Sequence, residues 1–479
     1  MRFLRAVCVP CLAMLAGFAV VSAQTWTPVT QAVSFTPGTA LLLTDGRVLV
    51  QVPNTSDWWT LTPDLTGSYI NGTWTQVASL PPDYGPQYFA SAVLADGRVV
   101  VMGGEYNFGK GIFTTLGAIY TPTTNKWKPL SAPSGWARVG DSQSVVLPNG
   151  TMMIADCCTT DAALFNAKTL AWTTTGTGKA DNNTEEGWTL LPNGKVLTLD
   201  VNNTNQPTTE VYDPVSGSWS SAGNTPVPIF DRLSHEIGPA VLRPDGTVLA
   251  TGGNGHNAIY DSINGTWSSA PDFPLNAQKQ QLDIADGPAA LLPDGNVLCM
   301  TSPGFFMPGV EFFEWDGSNF NATVNIPNAN VDISYYGTML VLPTGQILLT
   351  DGSPDVEVYT SPGAANPAWA PTITKFTSPL THGKKYAISG TQFNGMSQGA
   401  AYGDDAQSAT NYPLVRITNN ATGHVFYART FKHSSMGVAT GSAIIKTNFQ
   451  VATGTEIGAS QLEVVANGIA SSPVNVTIK

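Results

Sequence analysis

Apolar residues along most of this chain fall in short runs that come in pairs, each pair joined by a turn. "ALLLTDGRVLV", "SAVLADGRVVVM", "SVVLPNGTMMIA" and "AVLRPDGTVLA" show the pattern. The turn glycines are Gly46, Gly97, Gly150, Gly194, Gly246, Gly295 and Gly345, spaced roughly 45 to 50 residues apart, the period of a four-stranded repeat unit. Runs of this length bounded by turn signals read as buried strands. The Asp-Gly and Asn-Gly pairs supply the positive φ that a tight hairpin requires. Beyond several second runs come "AIYTPTTNKW", "EVYDPVSGSW" and "AIYDSINGTW". Trp127, Trp172, Trp219 and Trp267 hold matching places there and read as packing aromatics. The pattern predicts seven blades of a β-propeller. The early "QTWTPV" looks like an outer strand without the rest of its blade, so it is expected to complete the last blade and close the ring.

From about residue 370 the repeat stops. "ITKFTSPLTHGKKYAISG" and "QLEVVANGIASSPVNVTIK" alternate as strands of a small sandwich do. The predicted fold is all-β: a seven-bladed kelch-type β-propeller over 24–370, followed by an immunoglobulin-like (E-set) β-sandwich over 371–479. Residues 1–23 carry Arg2 and Arg5, an apolar stretch and a small residue at Ala23, the layout of a secretory signal peptide. A secreted or periplasmic protein is expected, probing no membrane with a span of its own, and monomeric.

Charge narrows the partners. Asp and Glu number 34 against 22 Lys and Arg, a formal net charge of −12. Loss of the leader removes two arginines and no acid, which makes it −14. Such a surface disfavours nucleic acid and anionic lipid. Three cysteines remain after the leader: Cys157, Cys158 and Cys299. Cys299 lies inside a predicted strand of the sixth blade and reads as a buried apolar residue. The adjacent pair belongs to the third blade, so a bridge to Cys299 would have to cross the ring. The expected state is a vicinal disulfide, Cys157–Cys158, placed to shape a pocket wall; two free thiols are the plainer alternative.

Counting back nine residues from each turn glycine marks where the inner strands begin. The positions are Pro37, Tyr88, Asp141, Glu185, Asp286 and Tyr336. The fifth blade has one residue more, which gives Glu236 beside His235. Counting six forward adds Asp156, Asp200 and Asp351. Both sets are expected to ring the propeller mouth, where loops converge on the channel. Several carboxylates in one mouth raise one another's pKa, share protons or gather a cation such as calcium. The plain alternative is that they cap backbone N–H groups of neighbouring loops.

The glycine-turn repeats and Tyr/Trp strands resemble kelch repeats, and the layout with its C-terminal sandwich resembles the galactose oxidase family of copper radical oxidases. That resemblance implies a copper site. "QYFASAVLADGR" places Tyr88 at the family's cross-linked Tyr, "ISYYGTMLVLPTG" offers Tyr335 for a second Tyr with Tyr336 where a His belongs, and "ARTFKHSSMGVATG" would bring His433 on a loop into the channel. No Cys stands in "SFTPGTALLLTDG", so the family's Tyr–Cys cross-link cannot form, and one imidazole is replaced by a phenol. Three functions follow as expectations. The first is a binding module for a glycan or other extracellular ligand at Tyr88, Asp141, Cys157, Cys158, Glu185, His235, Glu236, Asp286 and Tyr336. The second is a variant copper oxidase of alcohols, aldehydes or sugars, with Tyr88, Tyr335, Tyr336 and His433 as ligands. The third is a carboxylate-based glycan hydrolase or lyase, with Asp141 and Glu185 as the acid/base pair.

Overall fold

The computed structural model describes residues 24–203 and 207–479; the expected leader lies outside them. The chain is all-β, with two single-turn 3-10 helices among the described residues. No helix of the described residues is long and apolar enough to cross a membrane.

The turns are built as their residues dictate. In all seven, the glycine N–H donates to the carbonyl three residues before it, as Gly46 does to Leu43 and Gly295 to Leu292. The seven glycines have φ between 81° and 91°, a region that L-residues with a Cβ avoid. The preceding Asp or Asn turns its side chain onto the N–H two residues on, as Asp96 does for Arg98 and Asn193 for Lys195. That bond closes the turn a second time.

Each turn joins two neighbouring strands of an antiparallel sheet, four-stranded in six cases and six-stranded in the sixth sheet. The first sheet runs Ala40–Leu42, Val48–Gln51, Trp58–Thr62, Thr73–Gln76. Six more sheets follow in chain order. The seventh is completed by Thr25–Pro28, which pairs with Glu357–Thr360, the pairing expected of "QTWTPV". First strands of successive sheets touch: Ala40–Leu42 meets Ala90–Val93, Ala289–Leu291 meets Thr338–Val341, and Thr338–Val341 returns to Ala40–Leu42. The sheets therefore close on themselves, and no outer edge strand is left over from the two chain ends.

The tryptophans latch neighbours together. Trp127 sits opposite Tyr120 with ring centroids 4.9 Å apart, and Trp267 opposite Tyr260 at 5.0 Å. Their indole N–H groups reach back to the preceding sheet: Trp127 to the Ala78 carbonyl, Trp172 to Ser131, Trp26 to Val324. One side chain thus contributes both apolar burial and an inter-sheet hydrogen bond.

From Thr372 the strands form a separate array of eight hydrogen-bonded strands over a core that includes Ile388, Phe393, Val415, Phe449 and Leu462. This array seats on the glycine-turn end of the ring. Thr430 N–H donates to Thr44, His433 N–H to Ala95 and Met436 N–H to Pro148. One segment leaves it and threads the ring. Ala400–Ala401 pairs with Ala289–Leu291 of the sixth sheet, Gln398 accepts from Leu190 N–H of the fourth, Ser91 of the second donates to Gln407, and Ser408 donates to Ala40 of the first. Its polar side chains satisfy strand-end groups that a hollow channel would leave bare.

Candidate functional site

At the end of the ring away from the glycine turns, a cavity of about 200 Å³ opens. Its walls carry seven carboxylates: Glu105, Asp141, Glu185, Glu236, Asp286, Asp404 and Asp405. Tyr88, Tyr106, Tyr335, Tyr402 and Phe306 complete the lining. No lysine, arginine or histidine is among the lining residues.

The backbone that presents these groups is bent in the same way sheet after sheet. Tyr88, Glu185 and Asp286 have φ of 51°, 58° and 57°. Asp141 and Glu236 each follow a left-handed residue, Gly140 at 72° and His235 at 70°. Left-handed backbone at non-glycine residues costs roughly 1 kcal/mol or more each and persists only where surroundings enforce it. Here it turns each side chain inward just before the first strand begins.

The carboxylates fall into two overlapping groups. Oxygens of Asp141, Glu185 and Asp404 lie within 4.8 Å of one another, and so do those of Glu185, Glu236 and Asp286. At an effective dielectric near 20, two charged carboxylates at that distance repel by about 3 kcal/mol. Burial raises the pKa of Asp141, Glu185, Asp286 and Asp404 well above the usual range, and the neighbouring carboxylates push further in the same direction. Glu236 is pushed up to about 7 by burial, against proton sharing with Asp286 and Glu185. Asp405 also reaches about 7, with burial again the largest cause. Tyr88 and Tyr402 are held as neutral phenols by burial and by the charges of Asp405 and Asp286. Carboxylates shifted in this way and facing a cleft make the cavity a candidate functional site.

Asp405 is fully buried, and neither of its carboxylate oxygens has a hydrogen-bond partner of ordinary geometry. Asp404 keeps one oxygen on the Asp405 N–H at 2.8 Å, while its other oxygen has no partner. One oxygen of Glu236 is likewise unpartnered. Among the described residues only Asp405 and Glu357 have both oxygens of a buried carboxylate unpartnered, and of these two only Asp405 lines the cavity; a buried group left in that state calls for a partner.

An aromatic ladder stands at one side of the opening. Phe305 stacks on Phe306 at 4.0 Å, Phe306 meets Tyr335 at 4.5 Å, and Tyr335 meets Tyr336 at 4.5 Å. Phe305 and Tyr336 are each more than two-fifths exposed. Tyr402 OH donates to the Tyr335 carbonyl at 2.7 Å, which ties the threading segment to the ladder.

The structure brings together Tyr88, Asp141, Glu185, Glu236, Asp286 and Tyr335. Tyr336 faces a smaller adjoining cavity of about 60 Å³ with Pro37, Tyr88 and Tyr335. His235 points away and holds Asn202 through Nδ1 at 2.9 Å. His433 lies at the opposite end, buried, with Nδ1 on Thr447 at 2.8 Å and its backbone on the glycine turn of the second sheet. The set Tyr88, Tyr335, Tyr336 and His433 is therefore not assembled. The loop expected to carry His433 into the channel seats instead on the turns, and the channel is filled by the "GAAYGDDAQS" segment.

Asp156, Asp200 and Asp351 do not ring the cavity. They close second strands, which stand one strand further from the axis. Asp156 accepts from Cys158 N–H, Asp200 neighbours Lys179, and Asp351 accepts from Ser353 N–H. Cys157 and Cys158 form the vicinal disulfide, and Cys299 is a buried free thiol. The disulfide backs the site rather than lining it. A Cβ on Gly140 would lie 2.5 Å from Cys157 Sγ and 2.9 Å from Phe113, so the bond and that ring clamp the backbone just ahead of Asp141.

Sequence reasoning missed Glu105, Tyr106, Phe306, Tyr402, Asp404 and Asp405. For the last three a signal existed: "GAAYGDDAQSATNYP" breaks the alternation of an otherwise regular sandwich.

No family model and no curated protein matches the chain. Among solved structures, one described as a novel fungal alcohol oxidase with catalytic diversity among the AA5 family, in complex with copper, superposes with a TM-score of 0.54 at 13% identity, covering 96% of this chain and 100% of that one. The likeness is one of fold: an all-β, galactose oxidase-like arrangement.

Proposed function

We propose that the seven sheets are the blades of a kelch-type β-propeller over 24–370, that 371–479 is an immunoglobulin-like domain, and that the protein is exported through its leader to bind a carbohydrate or another hydroxyl-rich extracellular ligand at the propeller mouth. The observation that carries this reading is the aromatic ladder Phe305–Phe306–Tyr335–Tyr336 beside the carboxylate-lined cavity. Ring faces accept the C–H faces of a sugar, and carboxylates and phenols accept and donate to its hydroxyls. A cavity of about 200 Å³ has room for a small or terminal unit of a larger ligand. The test is calorimetric titration with a panel of mono- and oligosaccharides and cell-wall fragments. Phe306→Ala and Tyr335→Ala are expected to weaken the ligand found by roughly ten-fold each. A panel without a single binder sinks the reading.

The fold likeness to a copper-bound alcohol oxidase favours a second reading, oxidation of an alcohol, aldehyde or sugar at copper. Tyr88 and Tyr335 do lie on the cavity. The donors around them are carboxylates and phenols, whereas copper(II) favours nitrogen-rich tetragonal sites, so the residues present do not fit a copper of that kind. Peroxide release by the copper-supplied protein on simple alcohols would restore it.

A further inference from the structure

We propose that the cavity holds two hard divalent cations bridged by Glu185. Asp141, Glu185 and Asp404 offer one centre, and Glu185, Glu236 and Asp286 the other, each with its oxygens within 4.8 Å. Only Glu185 belongs to both groups, which is what a bridging carboxylate requires. A second feature, independent of the clustering, points to a ligand. Asp405 is 0% exposed, lines the cavity and has neither oxygen in a hydrogen bond of ordinary geometry. Asp404 and Glu236 each hold a further unpartnered oxygen. Leaving a buried carboxylate oxygen unmet is costly, and the described lining residues contain no cationic side chain to meet it.

The donor set decides the class of ion. Every candidate ligand is a carboxylate or phenol oxygen, the set that suits calcium, magnesium and manganese. Each group supplies three protein oxygens, and the orphaned oxygens of Asp404, Asp405 and Glu236 with solvent complete six or more. The left-handed backbone at Glu185 and Asp286, and beside Asp141 and Glu236, aims four of these groups inward before any ion arrives. Preorganisation of this kind lowers the cost of binding. Glu186, the neighbour of Glu185, faces Lys179 instead, whereas no cationic side chain lines the cavity that Glu185 enters.

The experiment uses the exported full chain, stripped with chelator and titrated calorimetrically with calcium, magnesium, manganese and copper in the absence of sugar. Two equivalents of a hard cation per chain are expected. Manganese bound as a pair gives an exchange-coupled electron paramagnetic resonance signal in place of the isolated six-line spectrum. Asp141→Asn and Asp286→Asn are each expected to remove one equivalent, and Glu185→Gln to weaken both by roughly 100-fold. One equivalent or none in the wild-type protein, or two unaltered equivalents in Glu185→Gln, overturns the proposal. Should a variant fail to fold by circular dichroism, the wild-type stoichiometry and the manganese spectrum decide alone. Because no sugar is present, failure of the ligand reading leaves this result standing, and the reverse also holds.

Discussion

Glu185 and Glu186 are adjacent in the chain and face opposite ways into two buried acidic clusters. On the Glu186 side, Lys179 Nζ lies 2.9 Å from Glu186, 2.8 Å from Glu210 and 3.8 Å from Asp200. Glu210 also accepts from the Ala180 N–H, and Glu186 from Thr198. On the Glu185 side, seven carboxylates share a cavity with no ammonium, guanidinium or imidazole on its lining. The first cluster carries its counter-charge on the chain, and Lys179 is held charged by it, its burial outweighed by Glu186, Glu210 and Asp200. The second must borrow protons or ions from outside. The difference separates a cluster with its own counter-charge from one that has none on the chain.

A third group shows the intermediate solution. Glu357 is fully buried in the seventh sheet, near Asp351 and Asp332, with both oxygens unpartnered. Burial pushes its pKa up to about 9, with Asp351 adding to the effect. It is neutralised by a proton and does not line the cavity.

The largest effect expected is at Lys179. Lys179→Met leaves three buried carboxylates without their cation and should cost roughly 3–5 kcal/mol, read as a lowered urea midpoint with unchanged slope. A loss below about 1 kcal/mol would mean that the lysine is no more than a surface-like partner. Second comes Glu357. With a folded pKa near 9 against an ordinary 4.5, its stabilising proton is present below pH 4.5 and is lost as the pH rises through 9. Glu357→Gln should therefore melt close to the parent at pH 5 and several degrees above it at pH 9. A gap that does not widen with pH breaks the assignment.

Smaller again is Glu185→Gln in chelator-stripped protein. Here the sign should oppose that of Lys179→Met: no loss, and a slight rise in melting temperature, because one repelling carboxyl is gone. Destabilisation comparable to Lys179→Met would erase the contrast between the two clusters. A similarly small effect is expected on reducing Cys157–Cys158. The loop it closes is minimal, so the stability change should be about 1 kcal/mol. Cation or ligand affinity should fall alongside, through the backbone ahead of Asp141; affinity that survives reduction would separate the disulfide from the site.

The amino-acid sequence by itself determined the repeat. Turn chemistry, alternation and the Tyr/Trp strand are local properties, so the seven hairpins, the closing strand "QTWTPV" and the inward positions Tyr88, Asp141, Glu185, Glu236 and Asp286 could be counted from the glycines. The vicinal disulfide followed from the same count, since Cys299 belongs to a different sheet. Tertiary structure decided the rest. Asp404 and Asp405 stand more than 200 residues from Glu185 in the chain, and only the packing of the C-terminal array on the turn end sends their segment up through the ring. The same packing anchors His433 far from the mouth. Which of two neighbours faces the cavity, as with Glu185 and Glu186 or Tyr335 and Tyr336, depends on a left-handed backbone residue or a single helical turn, and such local bends are enforced by contacts from distant strands rather than by the residues that make them.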